Sequence, residues 1–152
     1  MIRKARVEDV KSIHKLISVF AARDRILSRS LSELYENLRD FLVYDDNGEV
    51  AACCAFHISW EDLAEIKALA VEESRQGRGI GMELVEKALS EAPDLGIKRV
   101  FTLTYVPEFF KKAGFRVIDK EELPHKIWAE CVRCPKFPDC DETALILEIG
   151  DQ

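Results

Sequence analysis

The segment Gln76-Gly77-Arg78-Gly79-Ile80-Gly81 is where residue type and spacing point most directly to chemistry. Its three alternating glycines can take positive φ and let the main chain approach a ligand closely. Amide N–H groups in such a turn, and in the first turn of a following helix, have no intrahelical acceptor. Converging on one point, and reinforced by the helix dipole, they favour an anion. A diphosphate fits that description, and Arg75 and Arg78 are placed to add charge-assisted contacts. The segment is not a P-loop, because no Gly-Lys-Ser/Thr follows, and it lacks the Gly-x-Gly-x-x-Gly spacing of dinucleotide folds. A glycine turn without a ligand is the plain alternative.

Two further groupings carry reactive side chains. Glu65 and Lys67 alternate along Leu63-Ala64-Glu65-Ile66-Lys67-Ala68-Leu69, so strand geometry puts Glu65, Lys67 and Leu69 on one face and Ile66, Ala68 and Ala70 on the other. A charged pair on a central strand needs partners or a cleft. Either this face is solvated, or Glu65 acts as a general base and Lys67 holds a substrate carboxylate. Cys131, Cys134 and Cys140, with His125, supply the ligand types and number of a tetrahedral zinc site, although the spacing matches no recognised zinc pattern. Structural metal, thiol or disulfide chemistry, and inert packed cysteines all remain open for this loop.

The surrounding elements follow from periodicity and punctuation. Ile2 to Arg6 reads as a strand, and Val7 to Val10 opens an amphipathic helix with Val10, Ile13, Leu16, Ile17 and Phe20 inward. Ala21 to Arg29 is a basic loop bearing Arg23, Arg25 and Arg29. Ser30 with Glu33 three residues on marks a capped helix start, with Leu31, Leu34 and Leu38 inward. Phe41 to Tyr44 and Glu49 to His57 are strands joined across Asp45-Asp46-Asn47-Gly48, a strong hairpin signal. Leu63 to Val71 is a strand, Gly79 to Glu91 a helix broken at Pro93 to Gly96, and Arg99 to Thr104 another strand. A short helix at Pro107 to Ala113 starts with proline and ends on Gly114. Strands at Phe115 to Ile118 and Ala144 to Ile149 close the chain, the cysteine-bearing loop 125–142 being inserted between them. This order predicts an α/β fold with one mixed sheet and helices on both faces, in a single domain over 1–152.

Composition excludes several classes. A net charge of −6 and a pI near 5.2 argue against a nucleic-acid binder, which needs a broad cationic surface. No apolar run is long enough to span a membrane. The first residues are charged rather than apolar, and the odd cysteine count does not suit a disulfide framework, so a cytoplasmic protein is expected. Cys53 and Cys54, inside an apolar run, read as small core residues. The sequence is compatible with a homodimer.

Gln76-Gly77-Arg78-Gly79-Ile80-Gly81 matches the Gln/Arg-x-x-Gly-x-Gly/Ala signature of the GCN5-related N-acetyltransferase family at a strand-to-helix junction. Leu69-Ala70-Val71-Glu72 resembles the family's splayed strand, whose backbone pairs with the pantetheine arm. Pro107 to Phe115 is similar to its aromatic helix, with Phe110 where many members carry the tyrosine that protonates the departing thiolate. The resemblance implies the family fold, acetyl-CoA as cosubstrate, and contacts from Leu69, Ala70, Val71, Gln76 to Gly81 and Phe110. Tyr105 is the nearest substitute for the missing acid, or else a structural tyrosine.

Ser28-Arg29-Ser30-Leu31-Ser32-Glu33-Leu34, Cys53-Cys54-Ala55, Ala64 to Val71 and Leu123-Pro124 further resemble the acetyltransferase domain of the N-acetylglutamate synthases. That likeness implies acetylation of L-glutamate, the first step of arginine biosynthesis. Glu65 would be the base, with Arg25, Arg29 and Lys67 holding the dicarboxylate; surface arginines are the plain reading of the first two. No amino-acid-kinase segment is present in the 152 residues. Acetylation of another small amine or a protein N-terminus is the enzymatic alternative, and a non-catalytic acetyl-CoA or metal sensor is the alternative outside enzymes.

Overall fold

The structure, a computed structural model, describes residues 1–23, 29–123 and 142–149. Its strands are Ile2–Lys4 (β1), Phe41–Asp46 (β2), Glu49–Trp60 (β3), Leu63–Val71 (β4), Arg99–Thr104 (β5), Arg116–Ile118 (β6) and Thr143–Glu148 (β7). Its helices are Val10–Ala21 (α1), Leu31–Glu36 (α2), Ile80–Leu89 (α3), the single turn Ala92–Leu95 (α4) and Pro107–Lys112 (α5). The strands form one seven-stranded sheet in the order β1-β2-β3-β4-β5-β7-β6. It is mixed: β4 and β5 run parallel, while β1/β2, β2/β3, β5/β7 and β6/β7 pair antiparallel. The expected α/β architecture is the one observed.

The residues divide into two compact units, Met1–His57 with Ile66–Glu91, and Ile58–Glu65 with Ala92–Gln152. In the first, the β2–β3 register pairs Leu42 with Cys54 and Val43 with Cys53. Val43, Cys53 and Ala55 pack with Val10, Ile13, Leu16, Ile17 and Phe20 of α1 and Leu34 of α2. Leu42 and Cys54, one step along their strands, therefore point to the opposite face. There α3 approaches β2, with Leu84, Val85 and Ala88 fully buried. Full burial of the Leu84 and Val85 side chains contributes about 1.5–3 kcal/mol each against exposure. The periodic apolar faces predicted for α1 and α3 are thus what covers the two sides of this part of the sheet.

In the second unit, Leu63, Phe101, Ile118, Leu123, Ala144 and Ile146 form the core. α5 packs on β6 and β7, and Gly114 (φ +99) ends it. Two details depart from expectation. Leu31 is 40% exposed, because Ser30 caps α2 by accepting from the Glu33 N–H and so turns the first helical residue outward. Pro93 stands within the one-turn α4 rather than in an irregular break, since proline suits a first helical turn.

A charged knot ties the N-terminus down. Asp9 takes two hydrogen bonds from the Arg3 guanidinium, at 2.7 and 3.0 Å, and one from the Arg6 N–H at 2.7 Å. Arg3 Nε also donates to Asp45 at 3.0 Å. The Arg3 bond is the chief reason the Asp9 carboxyl sits below its ordinary range; the Arg6 N–H adds to it, against the opposing effect of burial. A carboxylate depressed in this way stabilises the fold above its unfolded pKa, about 3.9, and the contribution fades as pH falls through the lower folded value. Asp9→Asn should therefore cost about 1.5–3 kcal/mol in urea unfolding at pH 7. The gap to the parent protein should narrow below about pH 4; a gap independent of pH would contradict this role.

Candidate functional site

The site is built on β4 and the turn that follows it. β4 continues to Val71, and it pairs with β5 over Leu63 to Glu65. Three residues past that point Ala68 has φ +54, a left-handed conformation inside a strand. For a residue with a Cβ this costs roughly 1–2 kcal/mol. It also breaks the two-residue alternation. Glu65 and Ile66 are both buried, whereas Lys67, Ala68 and Leu69 are all partly exposed, so the regular two-face pattern expected for this strand ends at the kink. Cys53 on β3 stands behind it, its thiol donating to the Ala68 carbonyl at 3.4 Å.

After β4 the chain makes a 3-10 turn, Glu73–Arg75, and enters the glycine segment. Gly77 and Gly79 take φ +82 and +80. A Cβ at either would meet nothing within 4 Å, so backbone conformation rather than space demands glycine there. Gly79 caps α3, whose first internal bond runs from the Glu83 N–H to the Gly79 carbonyl at 3.0 Å. Among the described residues, the amides of Gly77, Arg78, Gly79, Ile80 and Gly81 donate to no main-chain carbonyl outside the helix. They lie at the positive end of the α3 dipole. Gln76 is different. Its N–H donates to the Glu73 carbonyl at 3.3 Å and its side chain to the Val71 carbonyl at 3.0 Å, so it staples the turn.

Arg78 is exposed and makes no ion pair among the described residues. Arg75 is held by three carboxylates: Asp46 at 3.1 Å, Glu49 at 3.0 Å and Glu72 at 2.6 Å. Those bonds, to Glu49 first, raise its already high pKa.

The candidate residues fall in both units. The first holds Arg29, Lys67, Leu69, Ala70, Val71 and Gln76 to Gly81; the second holds Glu65, Tyr105 and Phe110. Glu65 is 7% exposed, which removes the reading of a solvated outer face for that carboxyl. Lys67 is partly exposed and has no ion pair among the described residues. Arg29 lies 3.8 Å from Glu33, one helical turn on, and Arg23 pairs with Glu73. Tyr105 is partly exposed after β5, where Thr104 Oγ1 accepts the Val106 N–H at 3.0 Å. Phe110 is 3% exposed, edge-on to Phe109 at 5.0 Å and to Phe115 at 5.4 Å. Arg25, His125, Cys131, Cys134 and Cys140 lie outside the described residues. Among those described, no group of three or more metal-ligating side chains occurs, and no helix is long and apolar enough to cross a membrane.

The model of the acetyltransferase (GNAT) family matches residues 10–115. The chain belongs to the GNAT family.

An uncharacterized N-acetyltransferase of Chlorobaculum tepidum is 41% identical over 95% of this chain and 94% of its own length. An amino-acid acetyltransferase of Mycobacterium tuberculosis is 37% identical over 88% of this chain and 78% of its own. Among solved structures, a Mycobacterium tuberculosis protein in complex with CoA superposes with a TM-score of 0.85, at 31% identity over 99% of both chains. An N-acetylglutamate synthase of Neisseria gonorrhoeae, complexed with coenzyme A and N-acetyl-glutamate, gives 0.90 at 25% identity; this chain spans 35% of it. This GNAT chain is accordingly an N-acetyltransferase.

Three features of the site escaped the sequence: the left-handed Ala68, the thiol behind it, and the carboxylates around Arg75. The nearest signal for the kink was the alanine-rich run Lys67-Ala68-Leu69-Ala70, poor in β-branched residues for a central strand. Cys53 and Cys54 are fully buried and free, and burial pushes the Cys53 thiol up to about 12 and Cys54 up as well. In a variant with Cys131, Cys134 and Cys140 changed to serine, a disulfide thiol reagent at pH 8 should react with neither remaining cysteine in the native state. Both should react in guanidinium. Rapid native labelling would contradict the packing behind Ala68.

Proposed function

We propose that this N-acetyltransferase moves the acetyl group from acetyl-CoA to the α-amino group of L-glutamate, giving N-acetyl-L-glutamate and CoA. The main-chain amides of Gly77 to Gly81 at the start of α3 carry the cofactor half of the reading. They receive the diphosphate, with Arg78 adding a charge-assisted contact. Leu69, Ala70 and Val71, beyond the Ala68 kink, offer strand backbone to the pantetheine arm. Phe110, buried in its aromatic trio, supports the cofactor side from beneath rather than through exposed surface. The residues of both units then act as one acetyltransferase domain.

The chemistry follows from the thioester. The amine must be neutral to attack, so Glu65 accepts its proton, directly or through water. Nitrogen bonds to the thioester carbonyl carbon, and the resulting oxyanion takes hydrogen bonds from N–H groups of the Leu69 to Val71 segment. Collapse expels the CoA thiolate, which Tyr105 protonates. The proton still carried by the acylated nitrogen passes to the Tyr105 phenolate, directly or through water, and Glu65 returns its proton to solvent. Arg25, Arg29 and Lys67 pair with the two substrate carboxylates. Support for glutamate as acceptor comes from the amino-acid acetyltransferase of Mycobacterium tuberculosis and the Neisseria gonorrhoeae synthase, both similar to this chain. On this reading the reaction is the first step of arginine biosynthesis and the protein works in the cytoplasm.

A panel of the twenty amino acids with acetyl-CoA tests the acceptor. CoA release should be fastest with glutamate, and release with other amines but none with glutamate would transfer the site to another acceptor. In the same assay Glu65→Gln should lower kcat by roughly 10²–10⁴. Its acetyl-CoA affinity should stay near that of the parent; unchanged turnover would remove Glu65 from the proton transfer.

A further inference from the structure

Arg75 was expected among the anion contacts, yet its side chain is only 16% exposed and every nitrogen of its guanidinium faces a carboxylate. Nε donates to Asp46, Nη2 to Glu49 and Nη1 to Glu72. Asp46 ends β2 and Glu49 begins β3, on either side of the Asn47-Gly48 turn. That turn is rigid in its own right. Asn47 and Gly48 both have positive φ, and the Gly48 N–H donates to Asp45 at 2.7 Å. Asp45 in turn is bound by Arg3. Glu72 is fixed from two sides, its N–H donating to the Ala51 carbonyl at 2.9 Å and its carboxylate accepting from Ser74 at 2.8 Å.

We propose that Arg75 is a positioning residue, one that clamps the Glu73–Arg75 turn to the β2–β3 hairpin and so holds the Gly77 to Gly81 amides in place for acetyl-CoA. The inference rests on the proposed function for its ligand. Its physical reason is the entropy of the glycine segment. Two residues at positive φ with open space around them have little side-chain packing to fix them, so the segment's direction must be set at its ends. The α3 helix fixes the far end. At the near end Gln76 staples the turn to Val71, and Arg75 anchors that turn to a second, independently rigid element. A guanidinium suits this task because its planar fork meets several carboxylates at once, which a lysine ammonium does not.

The clamp has a signature opposite in sign to simple electrostatics. Asp46 and Glu49 are negative charges near an anion site, so neutralising them ought to tighten acetyl-CoA binding if Arg75 merely contributed charge. If Arg75 positions the turn, the same change must weaken binding. The test is acetyl-CoA affinity by calorimetry, with steady-state kinetics, for Asp46→Asn/Glu49→Gln, for Glu49→Gln alone and for Arg75→Lys. Glu49 is 65% exposed at its side chain, so its single variant keeps the test alive should the double variant unfold. Acetyl-CoA dissociation constant and KM should rise about tenfold in the double variant, within the range that small misplacements of a binding group produce. At saturating acetyl-CoA kcat should change by less than about twofold, as for a loss of uniform binding. Arg75→Lys should not restore parental affinity. Affinity equal to or tighter than the parent in both the double variant and Glu49→Gln overturns the clamp while leaving the acetyl-CoA reading intact. A parent protein that binds no acetyl-CoA removes both together.

Discussion

Everything in this site depends on main-chain N–H groups kept away from carbonyls. A peptide amide in a folded chain ordinarily ends up in a ladder or a helix, and leaving it without a partner costs free energy. Here the path from β4 into α3 runs through five consecutive residues, Gly77 to Gly81, the last two in the first turn of α3. Their N–H groups donate to no main-chain carbonyl outside the helix among the described residues. Positive φ at Gly77 and Gly79 makes that path available, and the first turn of α3 adds its own unpaired donors and the positive end of its dipole. On the proposed function, this makes an anion site that requires no cationic side chain. This explains how a chain with a net charge of −6 can suit a polyanionic carrier.

The rest of the first unit serves to hold that path still. α1 and α2 bury one face of β2 and β3, and α3 approaches the other, so the strands behind the turn cannot shift without exposing a packed core. Ala68 stores conformational strain in β4, and such strain persists only where the surroundings over-determine it. The buried thiol of Cys53 and the β3 backbone that receives the Glu72 N–H are those surroundings. The ion network from Arg3 through Asp45 to the hairpin, and from the hairpin through Arg75 to the turn, runs along the surface of the same unit.

Much of this was legible in the sequence because it was local. The Asn47-Gly48 turn, the Ser30 cap, the apolar stripe of α1 and the glycine spacing each encode their structure within a few residues. The signature that gave the family away is of the same kind, since Gly77 and Gly79 are required by backbone angle alone. What could not be read was set by tertiary context. Nothing in Lys67-Ala68-Leu69 says that the alanine will be left-handed, and strand alternation assigned it to a regular face. Arg75 looked like an anion contact by proximity in sequence, whereas two of its three carboxylate partners lie 26 and 29 positions away and are visible only once the hairpin is folded. Charged long side chains report their own neighbourhood poorly for this reason.

On the proposed function, the diphosphate of acetyl-CoA is held by the backbone of the glycine segment. Amide chemical-shift mapping of the isotope-labelled protein during a titration with CoA tests it most directly. The largest changes should fall on the N–H groups of Gly77, Arg78, Gly79, Ile80 and Gly81, with a second set at Leu69 to Val71. Changes centred elsewhere in the chain, with the glycine amides unmoved, would contradict the account.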